Sequence, residues 1–439
     1  MENTNHVNRR SFLKQSALAL GALGIPQFVP SLALGKQGGV APSERIVLGF
    51  IGTGKQSTGL MNAFLNIPET QVVAGCDVDK LKLARSKKIT EDFYAKKTDK
   101  TAFKGYKCYE DFRELTARAD IDAVVIATPD HWHALNAVQA ARAGKDIYCE
   151  KPLSWSIDEG KAMVKAVQRY RRVFQTGSMQ RSMEKFRTAC ELVRNGYIGD
   201  IKHIVVNVGG PPIPCDLPAE TKPDYLDWNM WVGPARLRPY SHVLSPHISE
   251  DIYPHWRDYI PFGGGFMTDW GAHHFDIAQW ALGMDRNGPV EIISPDQSEF
   301  KVLTYKYASG VTMVRDETYK GDPVKGILFI GSKGKVEVSR RHLRTWPEDL
   351  IKQKIGPQDV HLYKSTNHQQ DFLQAMRTRK QPICDVEIGF SSAVVCHLGN
   401  IVYRIKRSLK WDPQKLQLAQ PDSEAQQLFG RTMRSPWRL

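Results

Sequence analysis

The sequence predicts an α/β fold: an N-terminal Rossmann-like, doubly wound parallel sheet followed by a C-terminal α+β domain. The first observation is that short apolar runs alternate with helical patterns between residues 45 and 177, as is typical of βαβ units. The second is a change of pattern after Gly177, where longer strand patterns predict a large, mostly antiparallel open sheet. A chain of 439 residues, 41% of them apolar, is long enough for both cores.

The first 34 residues form a separate segment, which we exclude from the fold. Arg9 and Arg10 precede a weakly apolar run rich in alanine and glycine, and the small residues Ser31 and Ala33 suit a signal peptidase. The segment resembles a bacterial twin-arginine export signal. It therefore predicts a periplasmic protein that uses the twin-arginine machinery; an ordinary signal peptide or an uncleaved anchor is the alternative.

The two domains are expected at residues 45–177 and 178–425. In the first, periodicity predicts strands over 46–51, 71–77, 123–127, 146–149 and 173–176, with helices from about 57 and over 133–143 and 157–170. In the second, it predicts strands over 201–208, 298–307, 311–316 and 325–338, with helices over 185–195, 273–282 and 367–377.

A glycine turn, Gly52-Thr53-Gly54, follows the first strand and runs into a helix. The first glycine permits the tight turn, the second lets the backbone approach a pyrophosphate, and the helix N terminus adds partial positive charge. Ser57 replaces the third glycine of this fingerprint and is small enough for close packing. Asp77 ends the second strand, where a carboxylate binds the adenosine ribose and repels a 2′-phosphate. The pattern predicts NAD in preference to NADP.

Four motifs carry a family resemblance. They are the glycine turn, Thr128-Pro129-Asp130-His131-Trp132-His133, Glu150-Lys151-Pro152 and Asp269-Trp270-Gly271-Ala272-His273. In this order they resemble the Gfo/Idh/MocA family of glucose–fructose oxidoreductases and inositol dehydrogenases, over about residues 45–412. The resemblance implies hydride transfer between NAD(P) and a secondary hydroxyl of a sugar or cyclitol. It also implies a second-domain sheet that often serves oligomerisation, so we expect a dimer or tetramer.

The resemblance also implies roles for individual residues. Lys151 would stand next to the reacting hydroxyl and Glu150 near the nicotinamide ribose, while Asp130 occupies a position where the family commonly has an amide. Cofactor contacts are further implied for Thr128, Pro129, Asp130, His133, Lys151, Gln180, Trp256 and Arg257, and Arg181 is expected to face the same cleft.

Oxidation of a secondary alcohol requires that a proton leave the oxygen as hydride leaves the carbon. Asp269 and His273 are four residues apart, so on a helix they share one face and the carboxylate can orient the imidazole. We expect His273 to accept the proton and Lys151 to orient and polarise the oxygen, with Lys151 as the alternative base. His274 and Asp276 suit helix packing better than catalysis. No metal centre is predicted, because adjacent histidines on a helix point about 100° apart.

The formal charge of +13 is scattered along the chain without an arginine-rich arm, so no nucleic-acid role is expected, and the charge would favour only a modest attraction of anionic substrates. Two alternatives to a dehydrogenase stay open: an NAD-dependent glycosidase acting by transient oxidation and elimination, and a non-catalytic sugar- or nucleotide-binding protein. The intact Glu150-Lys151-Pro152 favours the dehydrogenase, and the presence of both Lys151 and His273 favours an enzyme.

Because free nicotinamide nucleotides are scarce outside the cytoplasm, an exported enzyme is expected to hold its cofactor tightly.

Overall fold

In the computed structural model, which describes residues 40–98 and 101–439, the chain forms a six-stranded and a nine-stranded sheet, each covered by helices. The predicted export signal at residues 1–34 lies outside the described residues.

The first domain is a parallel sheet with the strand order β3-β2-β1-β4-β5-β6. Its strands are β1 (Ile46–Ile51), β2 (Thr70–Cys76), β3 (Lys107–Tyr109), β4 (Ala123–Ile126), β5 (Asp146–Cys149) and β6 (Phe174–Thr176). Its helices are α1 (Lys55–Leu65), α2 (Lys80–Lys97), α3 (Phe112–Ala117), α4 (Asp130–Arg142) and α5 (Ile157–Tyr170). All six residues of β1 are buried, as expected for a central strand with helices on both faces. The sequence therefore predicted the fold class of this domain correctly.

The second domain is built on a mixed sheet with the strand order β15-β14-β13-β7-β10-β9-β8-β16-β17, in which only the β7–β10 pair is parallel among the described pairs. Its strands are β7 (Ile201–Val206), β8 (Glu291–Ile293), β9 (Thr304–Lys306), β10 (Thr312–Arg315), β13 (Ile327–Gly331), β14 (Lys335–Val338), β15 (Leu343–Trp346), β16 (Leu409–Asp412) and β17 (Gln417–Leu418), with a separate hairpin of β11 (Thr318–Tyr319) and β12 (Asp322–Pro323). Its helices are α6 (Glu184–Arg194), α7 (Trp228–Val232), α8 (Phe266–Asp269), α9 (Gly271–Leu282), α10 (His368–Thr378), α11 (Val386–Ile405) and α12 (Ser423–Gln427). Side chains from α6, α9 and α11 share one hydrophobic core with the sheet.

Three of the predicted elements differ from the structure by a turn or by at least three residues at one end. The strand expected over 325–338 is a hairpin of β13 and β14, because the chain turns where the Gly331 amide donates to the Gly334 carbonyl. The strand expected over 298–307 is shortened to β9. Helix α4 begins at Asp130, three residues earlier than expected, directly after Pro129.

Helix α11 was not predicted. By length and composition it is the one helix, among the described residues, that could cross a membrane, yet 78% of its most apolar window is buried inside the protein. Its residues pack in the core of the second domain and against α5. It is therefore the central helix of a core.

The C-terminal segment returns to the first domain. Arg431 Nε donates to Glu159 Oε1 at 2.8 Å, and the Arg431 guanidinium lies 4.1 Å from the ring centre of Trp155. Trp437 packs edge-on against Trp132, with 4.8 Å between ring centres. These contacts fasten the end of the chain to the helices beside the predicted site.

Candidate active site

The carboxyl ends of β1, β2 and β4 open onto a cleft of about 1130 Å³, here called the outer cleft. It is closed on the other side by the loop from Leu244 to Arg257. Predicted cofactor-binding residues that line it are Gly52, Gly54, Asp77, Thr128, Pro129, Trp256 and Arg257. Ligands of doubly wound sheets bind at this edge, so the sequence located the cleft correctly.

The glycine turn leaves room for a phosphate group. Gly52 has φ +84°, and a Cβ there would lie 2.8 Å from the backbone of Ala127 and Thr128, so only glycine fits. A Cβ at Gly54 would meet nothing within 4 Å, and α1 has no side-chain cap at this residue. Ser57 Oγ is buried without a hydrogen-bond partner among the described residues. An open backbone cradle at an uncapped helix N terminus fits a pyrophosphate.

Asp77 is fixed against the wall of the outer cleft. One carboxylate oxygen accepts from the Thr53 amide at 2.7 Å and from Thr53 Oγ1 at 3.0 Å, and the other accepts from the Asp79 amide at 3.0 Å. Burial raises the pKa of Asp77. Each carboxylate oxygen has two lone pairs, so Asp77 can also accept hydrogen bonds from ribose hydroxyls. Thr53 acts in the structure by holding Asp77.

A second space of about 1210 Å³, the inner cleft, continues from the outer one and shares Gln56, Thr128, Tyr253, Trp256 and Arg257 with it. The predicted residues that meet there are Asp130, Glu150, Lys151, Asp269 and His273. The structure thus brings together three of the four sequence motifs at one place.

Lys151 and Asp269 form an ion pair across the inner cleft. Lys151 Nζ donates to Asp269 Oδ1 at 2.6 Å and to the Asp269 carbonyl at 2.9 Å. Arg257 Nε lies 3.7 Å from the same carboxylate oxygen. Burial alone would raise the pKa of Asp269, but Lys151 and Arg257 outweigh it and the pKa is lowered. Lys151 is therefore held in one position by an ionised carboxylate.

His273 lines the inner cleft on α9 and is only 6% exposed. Burial, reinforced by the positive charges of Lys151 and Arg340, lowers its pKa well below the ordinary value. The imidazole is therefore neutral at physiological pH and able to accept a proton. Its Nδ1 is buried without a hydrogen-bond partner among the described residues.

The expectation that Asp269 orients His273 is wrong. Asp269 ends the short helix α8, and α9 begins at Gly271, so the two residues do not lie on one continuous helix. The Asp269 carboxylate contacts Lys151 instead. Residues four apart share a face of a continuous helix, but the helix is interrupted between Asp269 and His273.

Asp130 lines the inner cleft and is 4% exposed. Burial, together with repulsion from Asp269, raises its pKa to about 8. At neutral pH most of the population carries a protonated carboxyl, which offers one donor and one acceptor as an amide does. Asp130 can therefore make contacts of the kind expected from the amide it replaces. Glu150, whose pKa is raised by burial, accepts from Gln56 Nε2 at 3.0 Å.

Four predicted cofactor-binding residues do not line the clefts: Thr53 and Ser57, described above, and His133 and Gln180. The two ring nitrogens of His133 are each 2.9 Å from a backbone oxygen, that of Pro152 and that of Thr128. The amide of Gln180, oriented to satisfy both of its groups, donates to the His273 carbonyl at 3.3 Å and accepts from Arg340 Nε at 3.1 Å. His133 and Gln180 therefore position the walls of the site.

Arg181 does not face the cleft, so that expectation is wrong. It is 1% exposed and is paired with Asp276 at 2.8 Å and with Asp285 at 2.8 Å. Asp276 therefore has a structural role. His274 has one as well, because its Nδ1 lies 2.8 Å from the Asn207 carbonyl oxygen.

Sequence reasoning missed Arg340 and Tyr253, both of which line the inner cleft. Arg340 lies 4.7 Å from the ring centre of Trp270. It follows β14, and no motif marks it, because its approach to the site depends on how the second sheet is docked. Among residues 40–98 and 101–439, no group of three His, Cys, Asp or Glu side chains is arranged to hold a metal ion.

Comparison with known proteins identifies both domains. Residues 46–178 match the NAD-binding Rossmann fold of an oxidoreductase family, and residues 214–439 match the C-terminal alpha/beta domain of the same family.

Among curated relatives, "Glycosyl hydrolase family 109 protein 2" of Shewanella sp. (strain ANA-3) is 36% identical over 165 residues. That match spans 35% of this chain and 35% of the relative, about a third of its length. The "Uncharacterized oxidoreductase YrbE" of Bacillus subtilis (strain 168) is 26% identical over 289 residues, covering 63% of this chain and 68% of YrbE.

Among solved structures, the fold is similar to an aldose-aldose oxidoreductase from Caulobacter crescentus complexed with glycerol, with TM-score 0.56, 20% identity, and coverage of 83% of this chain and 99% of that one. It is also similar to the WlbA dehydrogenase from Bordetella pertussis in complex with NADH and UDP-GlcNAcA, with TM-score 0.58, 18% identity, and coverage of 84% and 98%. With both domain models matched in order, the chain belongs to the Gfo/Idh/MocA oxidoreductase family and carries that family's NAD-binding Rossmann domain.

Proposed function

We propose that this protein transfers a hydride between NAD and a secondary hydroxyl or ketone of a sugar, glycoside or cyclitol. The observation that carries the proposal is the meeting of a fixed lysine and a neutral histidine, Lys151 and His273, in a cleft continuous with the outer one. The similarity of the fold to an aldose-aldose oxidoreductase supports a carbohydrate substrate.

The outer cleft fits NAD, which supplies hydride acceptance and donation when bound. The Gly52–Gly54 turn would hold the pyrophosphate and Asp77 the adenosine ribose, with Glu150 near the nicotinamide ribose. His273, unprotonated, accepts the proton of the substrate hydroxyl. Lys151, held by Asp269, donates a hydrogen bond to the substrate oxygen and stabilises the charge that develops there. Such acid–base assistance contributes about 10² to 10⁴ in rate.

The cofactor is expected to remain bound through export and turnover. Support comes from the twin-arginine pattern at Arg9 and Arg10 and from the scarcity of free nucleotide outside the cytoplasm. The proposal predicts that the protein released from the periplasm contains NAD(H), and that one sugar is oxidised and a second carbonyl substrate reduced in a ping-pong sequence. Sequential kinetics in a protein that contains no nucleotide would contradict it.

The test is a screen of sugars, glycosides and cyclitols against the NAD-loaded protein, following reduced nicotinamide by its absorbance. A sugar-dependent rise that a Lys151→Met variant lacks supports the proposal. Absence of the rise, with the sugars bound, would leave a binding protein as the better description.

A second candidate is an NAD-dependent glycosidase, favoured by the 165-residue similarity to a glycosyl hydrolase family 109 protein. The same NAD-loaded protein should be given nitrophenyl glycosides. Release of nitrophenol without net reduced nicotinamide would support the glycosidase. Net reduced nicotinamide, or its reoxidation by a keto sugar, with the glycoside intact, would support the dehydrogenase.

A further inference from the structure

Arg340 is a positioned cation at the edge of the inner cleft. It follows β14 and lies over Trp270, 4.7 Å from the ring centre. Its Nε donates to the side chain of Gln180 at 3.1 Å when that amide is oriented to satisfy both groups. Stacking on the indole and a hydrogen bond to a buried amide therefore fix the guanidinium, while its two terminal nitrogens are left for a ligand.

The acids that line the inner cleft have partners or are largely neutral, including Asp258, whose Oδ2 lies 3.0 Å from His255 Nδ1. Asp269 is paired with Lys151 at 2.6 Å and lies 3.7 Å from Arg257. Glu150 accepts from Gln56, and the pKa of Asp130 is raised to about 8 by burial and by Asp269, which leaves that carboxyl largely neutral. Within the described chain, no carboxylate oxygen lies within 4.0 Å of Arg340. Arg340 therefore forms no ion pair within the described chain, although the carboxylates of Asp269 and Glu150 act on its charge from farther away.

Beyond Trp270 the inner cleft meets a shallower space of about 1100 Å³, here called the basic recess, which also contains Arg340. Lys325, Arg341 and His342 line it, and no Asp or Glu of the described residues does, although Glu337 lies behind the lining with its Oε2 3.1 Å from His342 Nε2. A cleft lined by charge of one sign raises the local concentration of ligands of the opposite sign. An anionic group would be drawn to the Arg340 side of the site.

We propose that the substrate is an anionic sugar, a uronate or uronide, whose carboxylate is bound by Arg340 while its ring lies against Trp270. This inference rests on the proposed function, because it places the reacting hydroxyl beside Lys151 and His273. The guanidinium fork matches a carboxylate with two parallel hydrogen bonds, and it also matches a sulfate.

The test uses the full mature protein loaded with NAD and matched sets of methyl glycosides of glucose, galactose and mannose. Each set contains the neutral glycoside, its C6 carboxylate and its 6-sulfate. Dissociation constants are measured by calorimetry, and kcat/KM from reduced nicotinamide. In at least one set, the carboxylate should bind about 10- to 100-fold more tightly than the neutral sugar, as for a hydrogen-bonded charged pair.

Two variants locate the effect. Arg340→Gln should reduce the carboxylate-to-neutral ratio at least about tenfold, and Arg340→Lys should restore only part of it, because lysine lacks the planar fork. Arg341→Gln is the matched control, since Arg341 lines the basic recess but not the inner cleft. It should leave the ratio nearly unchanged.

Each outcome has a defined meaning. A preference for the carboxylate that Arg340→Gln removes supports the proposal. Equal binding of neutral and charged members, no binding by any carboxylate, or a preference for sulfate over carboxylate overturns the uronate assignment. An equal loss in Arg341→Gln overturns the role of Arg340. If the carboxylate binds through Arg340 but no sugar yields reduced nicotinamide, the anion site stands and the proposed hydride transfer fails.

Discussion

Asp130 combines burial with a nearby negative charge, and the result is a carboxyl whose pKa is raised to about 8. Below that pH the group is mostly protonated and resembles an amide. Above it, a second negative charge appears next to Asp269. We therefore expect kcat/KM to fall as pH rises through about 8, and an Asp130→Asn variant to lack this decline.

The measurement is a pH profile of kcat/KM from 6 to 10 for the wild type and Asp130→Asn. Asp322→Asn, which removes an exposed carboxylate on β12, serves as the control and should keep the wild-type profile. An alkaline decline of the same midpoint in Asp130→Asn would show that another group causes it.

The proposed mechanism assigns the chemistry to His273 and Lys151, so their replacement should separate catalysis from cofactor binding. His273→Gln and Lys151→Met should each lower kcat/KM by about 10² to 10⁴. Bound NAD should remain near one per chain, because neither residue lines the outer cleft. His274→Gln is the neighbouring control: its ring contacts the Asn207 carbonyl, so it should affect stability more than turnover.

His273 gives a second pH prediction, which concerns the acid side of the kcat/KM profile. Because burial lowers the pKa of His273 well below its ordinary value, its proton-accepting form persists as pH falls through 6.5. The acid decline of kcat/KM should therefore begin well below pH 6.5. A decline centred at an ordinary histidine pKa would argue against His273 as the proton acceptor.

At the scale of elements, the turn between β1 and α1 contains two glycines with different roles: Gly52 is required by the backbone, and Gly54 leaves space for a ligand. Gly54→Ala is sterically open and has an ordinary φ of −70°, so the variant should fold normally but bind NAD weakly, because the added methyl group occupies the phosphate cradle. Gly52→Ala should instead lose stability, since its φ of +84° and the 2.8 Å approach to Ala127 exclude a side chain.

Thermal unfolding with and without NAD distinguishes the two. We expect Gly54→Ala to match the wild type without nucleotide and to lose the NAD-dependent rise in Tm, and Gly52→Ala to unfold at lower temperature in both conditions. A normal NAD-dependent rise in Gly54→Ala would mean that the pyrophosphate does not bind at this turn.

Elements with strong local signals were predicted well, and elements defined by long-range contacts were not. The apolar run of β1 and the amphipathic pattern of α5 placed both within a residue of their true bounds. The short strand β3 and the core helix α11 were missed, the latter because uniform burial removes the periodic pattern. The interruption between Asp269 and Gly271 also has no local signal in the sequence.

At the site, the sequence motifs predicted which residues meet, but they did not predict which of these residues contact one another. Lys151, Asp269 and His273 do meet, although the Lys151–Asp269 pairing depends on docking of the second domain. Arg340 could not be found from the sequence, because only the register of the second sheet brings β14 towards Trp270.

At the scale of the whole molecule, the C-terminal segment fastens to the first domain through one buried ion pair. Arg431 and Glu159 have side-chain exposures of 11% and 4%, and Arg431 also donates to the His131 carbonyl at 2.9 Å. Removing one partner leaves the other charge buried, so Arg431→Ala should lower the free energy of unfolding by about 3 kcal/mol. Urea denaturation measures this, with the exposed Arg236→Ala as control; equal midpoints for the two variants would show that the segment does not stabilise the fold.

The proposed function depends on hydride passing from a sugar carbon to NAD at the inner cleft. The most direct measurement gives the NAD-loaded protein a sugar deuterated at its ring carbons and determines the mass of the nicotinamide released on denaturation. We expect one deuterium on the nicotinamide in the wild type and none in Lys151→Met. Unlabelled nicotinamide from a wild-type protein that binds the sugar would contradict it.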